Sequence, residues 1–223
     1  MYVLSVNLGR PHVADHTGSP TGTGIDKRPA AGPVRVAAPG PKGTAGSGLA
    51  GDAVCDRRHH GGNDQAVYSF AREDLDAWET DLGRPLRNGV FGENLTTSGL
   101  DVNGARIGER WRIGSGLLLE VCGARVPCRT FAGWLGEKGW LKRFTRRAAP
   151  GAYLRVIEPG EIRAGDPVTI VERPDHEVSV SFLFRALTLE PELLSRVLAA
   201  GDALAPEARE TAVKRSSQGA GRV

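Results

Sequence analysis

Apolar and polar positions alternate at the start of the chain. In "YVLSVNL" (2–8), Leu4, Val6 and Leu8 are separated by Ser5 and Asn7, the period-two pattern of a half-buried strand. A short strand is predicted at 33–37, closing "GIDKRPAAGPVRV", and "QAVYSF" (65–70) reads as a buried strand. The period then changes. In "AREDLDAWETDLG" (71–83), Leu75, Trp78 and Leu82 fall on one helical face. Acids crowd its first turn, where the macrodipole favours them, and Gly83 stands where a helix-terminating glycine belongs. Strands follow at 106–113 and 117–123 around the turn "GSG", and "AYLRVIEPGEIRAGDPVTIVE" (152–172) is another strand–turn–strand signal. At least six strands with one clear helix predict an antiparallel or mixed barrel rather than a doubly wound sheet.

The pattern shifts again after "ERPDHE". Leu189, Leu193, Leu194, Val197 and Leu198 make a helical stripe, and Pro191 suits a first turn. "PEARETAVKR" (206–215) opens on proline and acids and ends on Lys214 and Arg215, as a helix does. About forty residues bury little core alone, so a small helical unit docked on the barrel or on a second subunit is expected. The predicted organisation is a mainly β domain with α over 1–173, a helical unit over 177–216 and a disordered tail over 217–223. Residues 9–24 are expected to form a loop. "APGPKGTAGSGLAGD" (38–52), with five glycines and no periodicity, is expected to be a flexible surface loop.

Composition narrows the class. The 223 residues suffice for one sizeable core, and 40% hydrophobic with 25% charged residues describes an ordinary globular chain. Lys+Arg 29 against Asp+Glu 26 leaves a charge of +3, too mild to point to duplex nucleic acid. No apolar run approaches the ~20 residues that span a bilayer, and the N-terminus reads as a strand, not a signal peptide. Three cysteines, an odd number, fit a cytoplasmic chain with reduced thiols better than a disulfide framework.

Three segments carry candidate chemistry. "CDRRHHGGND" (55–64) sets two arginines and two histidines beside paired glycines. Arginine offers a fork of donors to phosphate, and glycine lets backbone approach a ligand closely; a solvated basic loop is the plain alternative. In "NGVFGENLTTSGLD" (88–101), the amide of Asn94 can hold a polar ring edge or simply cap a turn. "ARVPCRTF" (124–131) places Cys128 between Arg125 and Arg129, cations that lower a thiol pKa if they face the sulfur. The residues alone leave Cys128 open between packed thiol, nucleophile and ligand. Cys122, in "LLLEVCG", reads as core, and Cys55 is ambiguous. A zinc site from Cys128, His59 and His60 is one further combination, although the gap between Cys122 and Cys128 is not a zinc-knuckle spacing.

Taken in order, "GIDKRPAAGPVRV", "GDAVCDRRHHGGNDQAVYSF", "FGENLTTSGL", "IGERWRIGSGLLLEV" and "RVPCRTF" resemble the MOSC-domain family, named for the molybdenum cofactor sulfurase C-terminal domain. "EVSVSFLFRALTLEPELLSRVL" is similar to the opening of the three-helix unit that follows this domain in its YiiM-like branch. "HHGG", "FGENL" and the lone "PC" in that order make the combination specific.

The resemblance implies a MOSC β-barrel with a C-terminal three-helix unit, binding a molybdenum–pterin cofactor whose metal is ligated by Cys128. The cofactor's phosphate calls for a basic rim, with Lys27, Arg28, Arg57, Arg58, His59, His60 and Arg125 as candidates, and Asn94 matches a position lining the pocket. The implied reaction is two-electron reduction of N-hydroxylated compounds: 6-N-hydroxylaminopurine-type bases, hydroxylamines and amidoximes. Electrons are expected from a separate flavin or iron–sulfur reductase, because the chain has no flavin fingerprint, four-cysteine run or G-x-G-x-x-G site. The competing readings are a sulfur carrier with a persulfide on Cys128, and a non-catalytic cofactor-binding module. A two-fold homodimer is the base-rate assembly. The C-terminal helices, which carry no cysteine, are expected to be separable from the chemistry.

Overall fold

The computed structural model describes residues 1–15, 17 and 22–219, with side chains described as far as residue 215. The described residues form ten strands and six α-helices. The first strand, β1 (Tyr2–Gly9), is followed by β2 (Lys27–Pro29), β3 (Val34–Val36) and β4 (Val67–Ala71). Helix α1 (Arg72–Leu82) leads to β5 (Leu95–Ser98), β6 (Arg110–Ile113) and β7 (Leu117–Ala124). Two helices, α2 (Arg129–Leu135) and α3 (Trp140–Arg147), precede β8 (Ala152–Glu158), β9 (Gly160–Ile162) and β10 (Val168–Glu172). The chain ends in α4 (Val180–Thr188), α5 (Leu194–Val197) and α6 (Pro206–Gly219).

Eight strands form one mixed sheet in the order β10-β6-β7-β8-β4-β5-β1-β2, and β3 pairs with β9 apart from it. All neighbours are antiparallel except β4 and β5. Parallel strands need a crossover, and α1 supplies it. That helix has the predicted form: Leu75 and Trp78 are buried, Glu73 and Asp74 sit in the first turn, and Gly83 (φ 65°) donates its N–H to the Glu79 carbonyl. The barrel closes incompletely. A single Tyr2–Pro167 bridge, with Val3 N–H donating to Asp166 O (2.9 Å) and Val168 N–H to Met1 O (3.0 Å), brings the β10 edge back to the start of β1.

Two helices, α2 and α3, were not expected from the chain's pattern. Phe131 and Leu135, then Trp140 and Phe144, repeat at a spacing of four and are all buried. They build an aromatic cluster with Trp78 and Phe91, in which Trp78 and Trp140 centroids lie 4.6 Å apart. Gly136 and Gly139, both at positive φ, break the two helices from each other. This cluster is separate from the aliphatic barrel core. Helix α4 joins the two, because Leu183 packs in the barrel core and Phe184 in the aromatic cluster.

Three expectations need correction. The glycine-rich stretch 38–52 is not loose: Leu49 is buried, bridges Val36, and Gly48 N–H donates to Ala66 O at 2.8 Å. The leucine stripe 189–198 is no single helix but a 3₁₀ turn, the short α5 and a second 3₁₀ stretch broken at Gly201. Helix α6 continues to Gly219, into the tail expected to be disordered; residues 220–223, like 16 and 18–21 of the loop 9–24, lie outside the described residues. Among the described residues no helix is long and apolar enough to cross a membrane.

Phe184→Ala removes the ring that ties α4 to the aromatic cluster, where Phe144 meets it edge-on at 6.3 Å. Equilibrium denaturation is expected to show a loss of ~3–5 kcal/mol, the usual range for a fully buried phenylalanine.

Candidate active site

Cys128 stands at the N-terminus of α2 in extended conformation (φ −117°, ψ 171°). It follows the end of β7, which pairs with β8 so that Ala124 faces Ala152. In the next pairing Tyr68 of β4 faces Tyr153 of β8. Arg125 therefore leaves the sheet beside both tyrosines. Its guanidinium lies over the Tyr68 ring at 4.9 Å and over Phe131 at 4.5 Å.

Arg125 is 7% exposed. It forms no ion pair among the described residues, and its Nε is a buried donor without an acceptor. An arginine keeps its charge in a protein, so this is a buried cation covered by aromatic faces. The Cys128 thiol is the group that feels it. Burial opposes ionisation, but a hydrogen bond from His60, the Arg125 charge and the Phe131 amide outweigh it and lower the pKa to about 6. The sulfur is half-buried and largely thiolate at neutral pH.

Two cavities meet at this sulfur. The smaller, about 130 Å³, is lined by Cys128, His60, Arg125, Lys27, Asn94 and Tyr68 among others. The larger, about 640 Å³, runs from Cys128, His60 and Tyr153 to Leu183 and Leu187 of α4 and Ala208 of α6. The C-terminal helices, expected to be separable from the chemistry, thus form part of the wall around it.

The other sequence candidates divide. Lys27 is buried and already neutralised by Asp52; burial lowers its pKa against that pairing. Asp52 also accepts from Gly9 N–H at 2.7 Å and from Asn94 Nδ2 at 2.8 Å. Asn94 lines the cavity, but Nδ2 is spent on Asp52 and Asn7 O (3.3 Å), while Oδ1 accepts from Tyr68 N–H (3.1 Å). It clamps strands together. Arg28 is exposed and paired with Asp26. Arg57 donates to Thr44 O at 3.1 Å, Arg58 is exposed, and neither lines either cavity. His59 turns to Asp56 at 3.0 Å and reaches only the larger cavity. Of the basic loop, only His60 meets Cys128.

No group of three or more His, Cys, Asp or Glu among the described residues is placed to hold a metal ion, so the Cys128–His59–His60 zinc combination is not assembled. None of the cysteines is in a disulfide. Cys122 is fully buried and its thiol is pushed up to about 12 by burial, whereas Cys55 lines the smaller cavity.

The paired glycines of "HHGG" do let backbone approach closely, but what approaches is the protein's own loop. A Cβ on Gly62 would stand 2.7 Å from Lys42 Cα, and one on Gly61 2.7 Å from Gly46 O. Gly62 N–H donates to Gly46 O at 3.0 Å. The sequence did not reveal Tyr68, Tyr153, Asp52 or Gln65 as site residues. The tyrosines become neighbours only through strand register, and nothing local marks either.

A curled mixed sheet with a thiolate and a buried guanidinium at its rim, flanked by C-terminal helices, defines a β-barrel protein with one cysteine-centred pocket. The MOSC domain family model matches residues 56–169, just over half of the chain. YflK of Bacillus subtilis (strain 168) is 34% identical over 183 residues, 82% of this chain and 79% of its own length. A protein named "Reductase" from Gibberella moniliformis is 31% identical over 147 residues, but only 26% of its length is covered. The crystal structure of YiiM from Geobacillus stearothermophilus superposes with TM-score 0.76 over 96% of this chain and 98% of that one, at 29% identity. The chain belongs to the MOSC-domain family and is YiiM-like.

Titration of the Cys128 thiolate by its ultraviolet absorbance, in a Cys55→Ser background, is expected to give a midpoint near the value of about 6. His60→Gln is expected to move it upward, since Arg125 and the Phe131 amide then oppose burial alone. Gly62→Ala, with φ 82° and Lys42 in its way, is expected to cost ~1–3 kcal/mol. Gly83→Ala, which meets nothing within 4 Å, is expected to cost less in the same denaturation series.

Proposed function

We propose that this protein is a molybdenum-cofactor-dependent reductase of N-hydroxylated compounds, namely 6-N-hydroxylaminopurine-type bases, hydroxylamines and amidoximes. The observation that carries the reading is the Cys128 sulfur where two cavities meet, close to the buried Arg125 guanidinium, which has no ion-pair partner among the described residues. Family membership and the relative named a reductase support the same class.

The residues present fit such a cofactor by their chemistry. A soft thiolate suits a transition metal. The orphaned Arg125 Nε asks for an acceptor, and an anionic cofactor group supplies one by a charge-assisted bond. Lys27 is engaged by Asp52, and Arg28, Arg57 and Arg58 do not line the cavity. Arg125 is therefore the anion donor of this chain, and Cys128 the metal ligand. When bound, the cofactor supplies a two-electron redox centre.

The protein's own part is to prepare the sulfur and the space. His60 shares both cavity walls with Cys128 and lowers the pKa of its thiol. Tyr68 and Phe131 cover the guanidinium and exclude water from it, which strengthens its field at Cys128. Converting R–NH–OH to R–NH₂ consumes two electrons and two protons and releases water. The electrons come from a separate flavin or iron–sulfur reductase acting in the cytoplasm.

The test reconstitutes the wild type, Cys128→Ser and Cys122→Ser with cofactor and an electron donor. Near-stoichiometric molybdenum and hydroxylamine reduction are expected in the wild type, and both are expected to be lost in Cys128→Ser, because serine offers a hard oxygen that ionises poorly. Cys122→Ser is expected to keep the metal but lose ~1–3 kcal/mol of stability, having buried a hydroxyl. No molybdenum and a persulfide mass on wild-type Cys128 would instead establish a sulfur carrier.

A further inference from the structure

We propose that the exposed face of α2 and α3 is the docking surface for an electron-donor protein that is acidic around its flavin or iron–sulfur group. The proposal rests on the reductase reading for the partner's task, and on the charge of this face for its place.

The charge is concentrated. Residues 129–147 hold six basic side chains, Arg129, Lys138, Lys142, Arg143, Arg146 and Arg147, against one acid, Glu137. That is a local +5, whereas the whole chain carries +3, so the remaining residues sum to a net negative charge. The nearby acids are already engaged. Glu137 meets Arg84 at 3.1 Å, and Asp81 meets Arg147 at 2.6 Å. Arg147 also turns inward, over the Trp78 ring at 4.3 Å.

Four of the six cations are left facing water. Arg129, Lys138, Lys142 and Arg146 are exposed, and their side chains make no ion pair or hydrogen bond among the described residues. Many cations elsewhere have carboxylate partners, as Arg110 has Glu120 at 2.8 Å and Arg72 has Asp76 at 2.7 Å. Lys142 and Arg146 stand one turn apart on α3, opposite the buried Trp140 and Phe144. Like charges at that spacing cost the helix stability, and nothing within the fold offsets the cost. A partner of opposite charge does.

The same face disfavours the other polyanions. Single-stranded nucleic acid needs exposed rings on which bases stack. Phe131, Trp140 and Phe144 are buried, and Trp134 is half-buried beneath Arg87 and against His12. A membrane-surface helix needs an apolar side free to enter lipid, and that side of α3 is packed in the aromatic cluster. What remains is a cationic surface that adds little apolar area, suited to a weak and electrostatically steered protein encounter. Redox encounters of this kind use small interfaces, on the scale of two short helices.

Position gives the face its task. Cys128 immediately precedes α2, a helix of seven residues and therefore ~10 Å long. Arg129 and Lys138 flank its two ends. A carrier resting on this face stands within about one such helix length of the Cys128 backbone. It brings there the two electrons that converting R–NH–OH to R–NH₂ consumes.

The test measures binding of an acidic flavodoxin to the purified full-length protein by calorimetry. Salt is set at about 10 mM and then about 0.1 M, where the Debye length is ~30 Å and ~10 Å. Wild type is expected to bind saturably at low salt and roughly tenfold more weakly at the higher salt. Lys142→Glu with Arg146→Glu is expected to weaken low-salt binding about tenfold, and the milder Lys142→Ala with Arg146→Ala about threefold. Lys214→Glu with Arg215→Glu removes the same charge from the exposed side of α6 and is expected to leave binding within about twofold of wild type. Absence of saturable binding at low salt, or an equal loss in the α6 pair, overturns the proposal. So does tighter binding of a single-stranded oligonucleotide, or of phosphatidylserine vesicles, that the α3 reversal abolishes. Hydroxylamine reduction by the molybdenum-loaded protein then separates the two readings. With dithionite the α3 variants are expected to match wild type, and with flavodoxin they are expected to need roughly tenfold more donor. An unchanged donor requirement removes the docking face alone. Intact binding without reduction in any form removes the reductase reading alone.

Discussion

A positive charge is buried at Arg125 without a carboxylate to meet it. A buried charge without a partner costs several kcal/mol, so the surroundings must make its presence tolerable. They do so with two aromatic faces, Tyr68 and Phe131, and with the Cys128 thiol, whose pKa His60 and then the guanidinium lower against burial. Each of these groups comes from a different element: β4, α2 and the turn between β7 and α2. The register that pairs Tyr68 with Tyr153, and Ala124 with Ala152, is what brings them together. The sheet's pairing is therefore a condition for the lowered pKa of Cys128.

The aromatic cluster has a matching role. Phe131 belongs to it on one side and covers Arg125 on the other. Its partners Trp140, Phe144 and Trp78 are all buried, so α2 cannot shift without disturbing them. Cys128, as the residue preceding α2, inherits that rigidity. A site built on a packed element keeps its geometry better than one on a loop. Here the loop element, His60, is itself fixed by its N–H to Asp56 O at 3.0 Å and by the glycines that press it on the 42–46 backbone.

How much of this was legible follows from the range of each interaction. The strands 2–8 and 65–70, helix 71–83 and the hairpin about "GSG" announce themselves through local periodicity, and the structure places elements there. Helices α2 and α3 were missed although Phe131 and Leu135, and Trp140 and Phe144, are spaced four apart. Each helix is about two turns long, too short for periodicity to stand out from the glycines around it. The arginines around Cys128 drew notice but left it open between packed thiol, nucleophile and ligand, and its role as ligand came from the family resemblance. That Arg125 faces the sulfur while Arg57 and Arg58 do not line the cavity was not, because side-chain direction at a loop depends on contacts distant in sequence. Asp52 gave no local signal either; it matters only as the acceptor that holds Lys27, Asn94 and Gly9 together.

The "FGENL" segment shows what such a motif is for in physical terms. Gly92 has φ 77°, and a Cβ there would stand 3.3 Å from Arg125 Nη1, so glycine both permits the turn and leaves room for the guanidinium. Glu93 is fully buried and accepts from Phe91 N–H at 3.0 Å and Thr96 Oγ1 at 2.9 Å, holding the turn from inside; burial raises its pKa against those bonds. Phe91 packs on Phe131 at 5.2 Å, and Asn94 clamps β4 to the end of β1. Four consecutive side-chain positions thus serve to place a cation and a helix that lie elsewhere in the chain. The motif is scaffolding for Arg125 and Cys128. Substitutions at Phe91 and Glu93, which line neither cavity, should act on the site through position.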